Sequence, residues 1–405
     1  MRNMNKFENI LKGIYDIVKR EFITISTSYA ILLVLVGGII GYGFLYNIMY
    51  APNVVRNAPV VVVDNAKTEL SRKFIYHLDA TPEIKIVSSG ADYIEAKDYM
   101  HNNDAVAIIV LPYDFDEKIN TGRQAVMVTY QSTKVFLYSL YVEKGITFSL
   151  LDLNDRIRPD QVVFLPPEDV SAMTSSSSPI QAVTIPLYNY TEGYGTYLIP
   201  GVLMVILFQT LMMVIAMISG GEVEKRTINL YQPYSKTWGS LTLLIISKSL
   251  VYVMLYLIFS VLYVELLPIL FELPDIGNRM TIYTMMIPYL FATSFFGLAM
   301  SIFFTDSDSP IPAIAFFSVG LIFLSGISYP LELMPWYWKM CHFIFPAAPG
   351  TLSFVKINSM GATLQDIRIE YITLCAQCLI YYVLAVLSYR YKLIKYKEPI
   401  LQNAK

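Results

Sequence analysis

Charge is what this chain has least of. Only 15% of its 405 residues are Asp, Glu, Lys or Arg, against roughly 25% in a typical soluble domain. That leaves too little polar surface to clothe a water-soluble protein, and a mean hydropathy of +0.48 says the same. The net charge is −2, and no nucleic-acid partner is expected. Cysteine is equally scarce. Cys341, Cys375 and Cys378 are the three thiols, and their absence from the first 340 positions excludes a disulfide framework there. His77, His101 and His342 are scattered and give no metal-ligand spacing. The sequence has no G-x-x-x-x-G-K-[ST], no G-x-S-x-G and no H-E-x-x-H, which removes a P-loop nucleotide site, a nucleophile elbow and a zincin helix. No residue cluster points to catalysis, to a metal or to a cofactor on this chain.

What the chain does have is long uncharged runs. They lie between Glu21 and Arg56, Glu192 and Glu222, Lys248 and Glu265, Arg279 and Asp306, Asp308 and Glu332, and Glu370 and Arg390. A bilayer-spanning helix needs about 20 mostly apolar residues. The pattern predicts a membrane α-helical protein with six transmembrane helices, near 25–48, 196–219, 241–265, 282–304, 311–330 and 370–389. The first run exceeds the ~7–15 residues of a signal-peptide core and no A-x-A-like site follows it, so it reads as a retained anchor.

Basic residues near the helix ends set the orientation. Arg2, Lys6, Lys12, Lys19 and Arg20 precede the first run. Lys225, Arg226 and Lys236 follow the second, and Arg390, Lys392, Lys395, Lys397 and Lys405 end the chain. The loop 266–281 carries only Arg279, and 331–369 is sparse in positive charge for its length. Both termini are thus expected in the cytoplasm, with a basic cytoplasmic tail at 391–405. The aromatic group at 335–339 suits the outer interface. The N-terminal segment 1–24 places Phe7, Ile10, Leu11, Ile14, Val18 and Phe22 at helical spacing, the pattern of an amphipathic interfacial helix.

This topology puts residues 50–195 outside as a domain in its own right. "PVVVVDNA", "IKIV", "AVAIIVLP" and "AVMVTY" read as strands. Between them, Leu70, Phe74 and Leu78 mark one helix, and "SGADYIEAKDYM" a second with Ser89 and Asp92 as a capping box. Lys134 to Asp155 reads as a long helix striped by Val135, Tyr138, Val142, Ile146, Leu150 and Leu153. Alternating strands and helices predict an inserted extracytoplasmic α/β domain with a small mixed sheet. The stretch 156–190 carries loop signals, with strands at "QVVFL" and "QAVTI".

Three features hold chemistry. "CAQC" at 375–378 lies inside an apolar run, where thiols pack as small hydrophobes. Lys248 and Glu265 fall within predicted spans, where charge is costly, but each lies near a helix end and can snorkel to the interface. The third is "GGEVEKRTINL", in which Glu222, Glu224, Lys225, Arg226 and Thr227 crowd together behind the second span. Such a cluster is either a solvated helix end or a docking element of hydrogen-bonding anchors.

These stretches, in this order, resemble the permease subunits of ABC-2 type exporters, in the subgroup with a large extracytoplasmic domain between the first two helices. Those permeases carry an E-R-E-x-G-T-x-E-like motif after the second helix. Here Glu222, Glu224 and Thr227 match it, while Arg226 replaces its glycine and Asn229 its last glutamate. "LYNYTEGYGTYLIPGVL" resembles the family's re-entry segment and "LSGISYPLELMPWYWKMCHFIFPAAPG" its fifth helix with a re-entrant segment over 331–369. The resemblance implies a transmembrane region at 196–390 with a coupling loop at 220–240, seated in a separate ABC ATPase subunit that binds the ATP. It also implies a homodimer or a paired homologous permease, contact with membrane lipid, engagement of a periplasmic adaptor protein, and a bacterial inner-membrane location. A membrane-anchored sensor or binding protein and a membrane-bound enzyme are the alternatives. Six helices exceed a sensor's need, and site chemistry is missing for the enzyme.

Overall fold

In the computed structural model, residues 2–396 are described, apart from 52–53, 91, 103–104, 122, 124, 133–135, 164–192 and 274; side chains of 2–10, 136 and 154–163 are also not described. The chain divides into two compact units, one formed by Met1–Asn53 with Pro186–Lys405 and the other by Val54–Ile185.

The chain begins with α1 (Arg2–Thr27). Ser28 interrupts it in extended geometry, and α2 (Tyr29–Met49) follows, widened to π-helical bonding over Leu33–Gly41. The face of α1 that packs inward is separate from the apolar stripe expected at the membrane interface. Ile17, Glu21 and Ile25 are buried, whereas Leu11 and Phe22 are 49% and 60% exposed. Phe7 and Ile10 lie outside the described side chains. The buried stripe is centred on a carboxylate, which the apolar count could not register.

The inserted unit is built on β1 (Ala58–Asp64), α3 (Glu69–Asp79), β2 (Ile84–Ser89), α4 (Tyr93–Asn102), β3 (Ala107–Leu111), α5 (Phe115–Asn120), β4 (Val128–Gln131) and α6 (Phe136–Val163). Its sheet runs β2-β1-β3-β4. β1 is parallel to both neighbours, with Val60 opposite Ala107, and β4 is antiparallel to β3. The valine run explains itself here: Val60 and Val62 join Phe74, Leu78, Val142 and Ile146 on one face, while Val61 and Val63 join Ala96 and Ile108 on the other. A strand covered on both faces reads as a continuous apolar run. The capping box sits at the start of α3, between Thr68 and Ser71. At α4, Asp92 alone accepts from the Glu95 N–H at 2.8 Å, and Ser89 belongs to β2. The predicted strand at "QVVFL" is also corrected: Gln161, Val162 and Val163 continue α6. The "QAVTI" strand lies outside the described residues.

The remaining chain is helical: α7 (Tyr194–Glu224), a 3-10 stretch (Thr227–Lys236), α8 (Trp238–Leu270) and α9 (Arg279–Phe303), α10 (Pro310–Leu324), α11 (Trp336–His342), α12 (Ala347–Met360) and α13 (Arg368–Lys395). Among the described residues, five helices, α2, α7, α8, α9 and α13, are long and apolar enough to cross a membrane. The predicted span at 311–330 instead forms the 15-residue α10. At ~1.5 Å per residue it reaches about 22 Å, short of a ~30 Å hydrocarbon core. Pro310 opens it and the turn at Ser325–Gly326 closes it.

α7 is apolar all round and almost wholly buried, as a central helix must be. It packs against α9, α10, α12 and the π-helical part of α2. Water is excluded here, so polar side chains bond to carbonyls of neighbouring helices. Tyr263 donates to the Ile39 carbonyl at 2.7 Å, Tyr289 to Met204 at 2.7 Å and Tyr197 to Ile327 at 2.5 Å. His342 donates through Nδ1 to Leu324 at 2.7 Å and Gln377 to Phe343 at 2.8 Å.

A buried ionic network as the candidate functional site

Where α7 ends, four helices converge on one ammonium. The Lys248 side chain on α8 is buried, and its Nζ lies 2.5 Å from Glu21 Oε1 of α1. It also contacts Glu222 Oε1 of α7. Three tyrosines complete the shell. Tyr231, from the 3-10 stretch, donates to Glu21 Oε1 at 3.1 Å; Tyr252, one turn beyond Lys248, donates to Glu21 Oε2 at 2.6 Å. Tyr389 of α13 donates to Glu222 Oε2. The ammonium also faces the Tyr231 ring at 4.6 Å and the Tyr389 ring at 5.4 Å, a cation–π arrangement favoured when water is absent.

The expectation that Lys248 snorkels is overturned. It sits ten residues into α8, so about 15 Å from Trp238 at ~1.5 Å per residue. Two carboxylates inside the protein offer solvation that the interface cannot offer sooner. Burying one charge alone is costly, but pairing with full hydrogen bonding offsets the desolvation. Every carboxylate oxygen in the network accepts at least one such bond.

A second lysine supports the same corner. Lys392 was counted among the basic groups of the C-terminal tail, yet α13 runs on to Lys395 and Lys392 is 1% exposed. Its Nζ donates to the Ser219 carbonyl at 2.8 Å, the Ser219 hydroxyl at 2.9 Å and the Ser301 carbonyl at 2.9 Å. The ends of α7 and α9 are thereby clamped to α13. Taking Glu21, Glu222, Lys248 and Lys392 together, two negative and two positive charges balance.

The "GGEVEKRT" stretch is therefore not one loop. α7 continues through Glu224, so Glu222 points into the protein and is 6% exposed, while Glu224, Lys225, Arg226 and Thr227 are exposed. Glu224 accepts from the Ser307 N–H at 3.1 Å. Thr227 Oγ1 lies 3.5 Å from the Glu222 carbonyl. Arg226 turns the chain in left-handed geometry, φ 57°, where the motif's glycine would carry no strain. The two glycines have a separate cause: a Cβ on Gly220 would meet the Asp306 carbonyl oxygen at 2.0 Å. Glu265 takes no part in the network. It pairs with Arg279 at 3.1 Å, about 25 Å further along α8 at ~1.5 Å per residue, and both side chains remain 35% exposed.

Sequence reasoning missed Glu21, Tyr231, Tyr252, Tyr389 and Lys392. One signal was present: Glu21 lies in register with Ile17 and Ile25 on α1. Tyrosines spread over three elements gave none. Cys378 donates to the Pro288 carbonyl at 3.1 Å, and all three thiols are free. Among the described residues no group of His, Cys, Asp and Glu has the makings of a metal site.

The 3-10 stretch, partly exposed but with Ile228 and Tyr231 buried, is wired to the helices. Besides Tyr231, Gln232 donates to the Leu393 carbonyl at 2.7 Å, and Ser240 of α8 donates to the Tyr234 carbonyl at 2.8 Å. The stretch is thus bonded to α1, α8 and α13, and Ile228 and Tyr231 bury it against the helices.

Fold and site together define a polytopic membrane protein with an α/β unit inserted in its sequence and a surface element bonded into the helix ends. The family model described as "ABC-2 family transporter protein" matches residues 21–387. The chain belongs to the ABC-2 transporter family and is a permease-type, multi-pass membrane subunit. No curated protein sequence matches it.

Proposed function

We propose that this chain is the permease subunit of an ATP-driven exporter, coupled to separate ABC ATPase subunits. The observation that carries the reading is the Tyr231–Glu21–Lys248–Glu222 chain of contacts. It links the partly exposed 3-10 stretch to three helices that converge at one end of the bundle. Conformational coupling requires a rigid connection of this kind, and a solvated helix end would not need one. The sequence carries no P-loop of its own, so the nucleotide is bound by the partner.

In this reading the chain crosses the membrane six times, with α10 and the turn after it as the fifth crossing. Both termini and the 3-10 stretch face the cytoplasm of a bacterial inner membrane. The rings of Tyr46, Tyr50 and Tyr194 stand in series, 6.4 and 6.0 Å apart, so the end of α2 lies beside the start of α7. Both connections to the α/β unit then leave on one side, the extracytoplasmic one, where the unit can meet a periplasmic adaptor. The segment 331–369, with α12 buried against α7 and α9, is the re-entrant part. Two permeases, identical or homologous, enclose the pathway.

Affinity purification of the full chain from its native membrane tests this. A P-loop ATPase should co-purify in a 1:1 ratio, and Tyr231→Ala should weaken that ratio or uncouple its ATPase from cargo. Stoichiometric ATP hydrolysis by the isolated chain, or a pull-down free of any P-loop protein, would overturn the proposal.

A further inference from the structure

A cleft of about 340 Å³ opens between α1, the start of α2, the end of α7 and the 3-10 stretch. Its volume falls within the ~300–1,000 Å³ range of small-molecule sites. We propose that it is a binding site for one anionic phospholipid.

The position comes first. α2 begins at Tyr29 and α7 ends at Glu224, and Ile31 and Ile218 both line the cleft. The cleft therefore spans the depth at which two membrane helices meet the headgroup layer, with apolar walls continuing inward. An amphiphile fits this gradient, and a free anion uses only its outer part.

Charge comes second. Arg20 and Lys225 line the cleft, and both are exposed. The Arg20 guanidinium lies over the Tyr231 ring at 5.6 Å, and among the described residues neither cation pairs with a carboxylate. The neighbouring acids are already engaged. Glu222 lines the cleft, but its oxygens are taken by Lys248 and Tyr389. Glu21 is bonded to Lys248, Tyr231 and Tyr252, and Glu224 accepts from Ser307. Asp306, in the adjacent loop, accepts from the Ser309 N–H at 2.8 Å.

Thr24 and Thr27 donate to carbonyls of their own helix at 2.9 and 2.7 Å, which leaves Arg20 and Lys225 as the strong donors. Two cations with no carboxylate partner among the described residues, above an apolar wall, select a phosphate headgroup with no compensating cation of its own. The site touches Tyr231 and Glu222, so lipid bound there would brace the network described above. This assignment needs α2 and α7 to cross the membrane and does not depend on an ATPase partner.

The test uses the full chain in nanodiscs of equal phosphatidylglycerol and phosphatidylcholine, released into mild detergent for native mass spectrometry. The parent should retain one phosphatidylglycerol per chain in clear excess over phosphatidylcholine. Arg20→Gln and Lys225→Gln should each weaken retention by about fivefold, the effect of one basic group at an anionic surface. Lys12→Gln, exposed on α1 outside the cleft, should behave as the parent. Equal retention of both lipids, or an equal loss in Lys12→Gln, would overturn the proposal. Displacement by glycerol 3-phosphate at lipid-equivalent concentration would make this a free-phosphate site and would also overturn it. Should a cleft variant fail to fold, the parent's own lipid ratio decides.

Discussion

Replacing Lys248 by methionine keeps most of the side-chain volume and deletes the ammonium. Glu21 would retain two donors, Tyr231 and Tyr252, and Glu222 would retain one, Tyr389. Two buried carboxylates would then face each other with only Lys392, held by Ser219 and Ser301, as a neighbouring positive charge. Removing one partner of a buried ion pair costs about 3–5 kcal/mol, and the poorly solvated Glu222 places Lys248→Met at the upper part of that range. Glu21→Gln and Glu222→Gln each leave one neutral Lys–Glu pair, so each should cost less, about 1–3 kcal/mol. The triple variant Glu21→Gln/Lys248→Met/Glu222→Gln removes the three paired charges, leaves Lys392 on its carbonyl partners, and should recover part of the loss, because neutral side chains avoid the desolvation penalty. Unfolding in mixed detergent–SDS micelles, followed by tryptophan fluorescence, measures all four. If Lys248→Met unfolds with the parent, or if the triple variant is no more stable than Lys248→Met, the ion-pair reasoning fails.

Gly220→Ala should destabilise the chain or misplace the loop at Asp306, since its Cβ would meet a backbone oxygen; Gly239→Ala, with open space around it, should be neutral in the same unfolding assay. Glu222→Gln should lower stability and transport together, whereas Glu224→Gln, exposed and bonded only to a backbone N–H, should leave stability within about 1 kcal/mol and affect at most coupling; matched melting curves for the two would refute this division. Cysteines at Tyr113, 82% exposed in the α/β unit, and at Lys236 should react with an impermeant maleimide from opposite sides of intact cells; labelling from one side would break the proposed topology. Phe74→Ala, at the centre of the α/β core, should cost that unit about 3–5 kcal/mol, read as an earlier transition by circular dichroism.

Much of the fold was legible because its causes are local. A bilayer demands apolar length, so uncharged runs mark α2, α7, α8, α9 and α13 with ends within a few residues. A continuous β-branched run likewise marks β1, and period-four spacing the Val142–Ile146 face of α6, since a strand or helix buries its side chains by its own geometry. The length of α10 was not legible, because composition reports apolarity and not the Pro310 and Ser325–Gly326 breaks that bound the helix. The inward face of α1 was not legible for a related reason: apolar spacing marks the Leu11 and Phe22 face and passes over a buried stripe centred on Glu21.

The candidate site was legible only in part. Glu222 announced itself by standing behind an uncharged run, and Lys248 by interrupting one. That these two meet, and that Glu21 completes the pair from more than 200 positions away in the sequence, depends on how α1, α7 and α8 cross. Burial of a charge is a property of its surroundings: the same lysine would reach for water on an isolated helix, and becomes a structural centre once two carboxylates and three tyrosines replace that water. Local chemistry wrote the helices into the sequence; the long-range meeting of their polar residues came from packing alone.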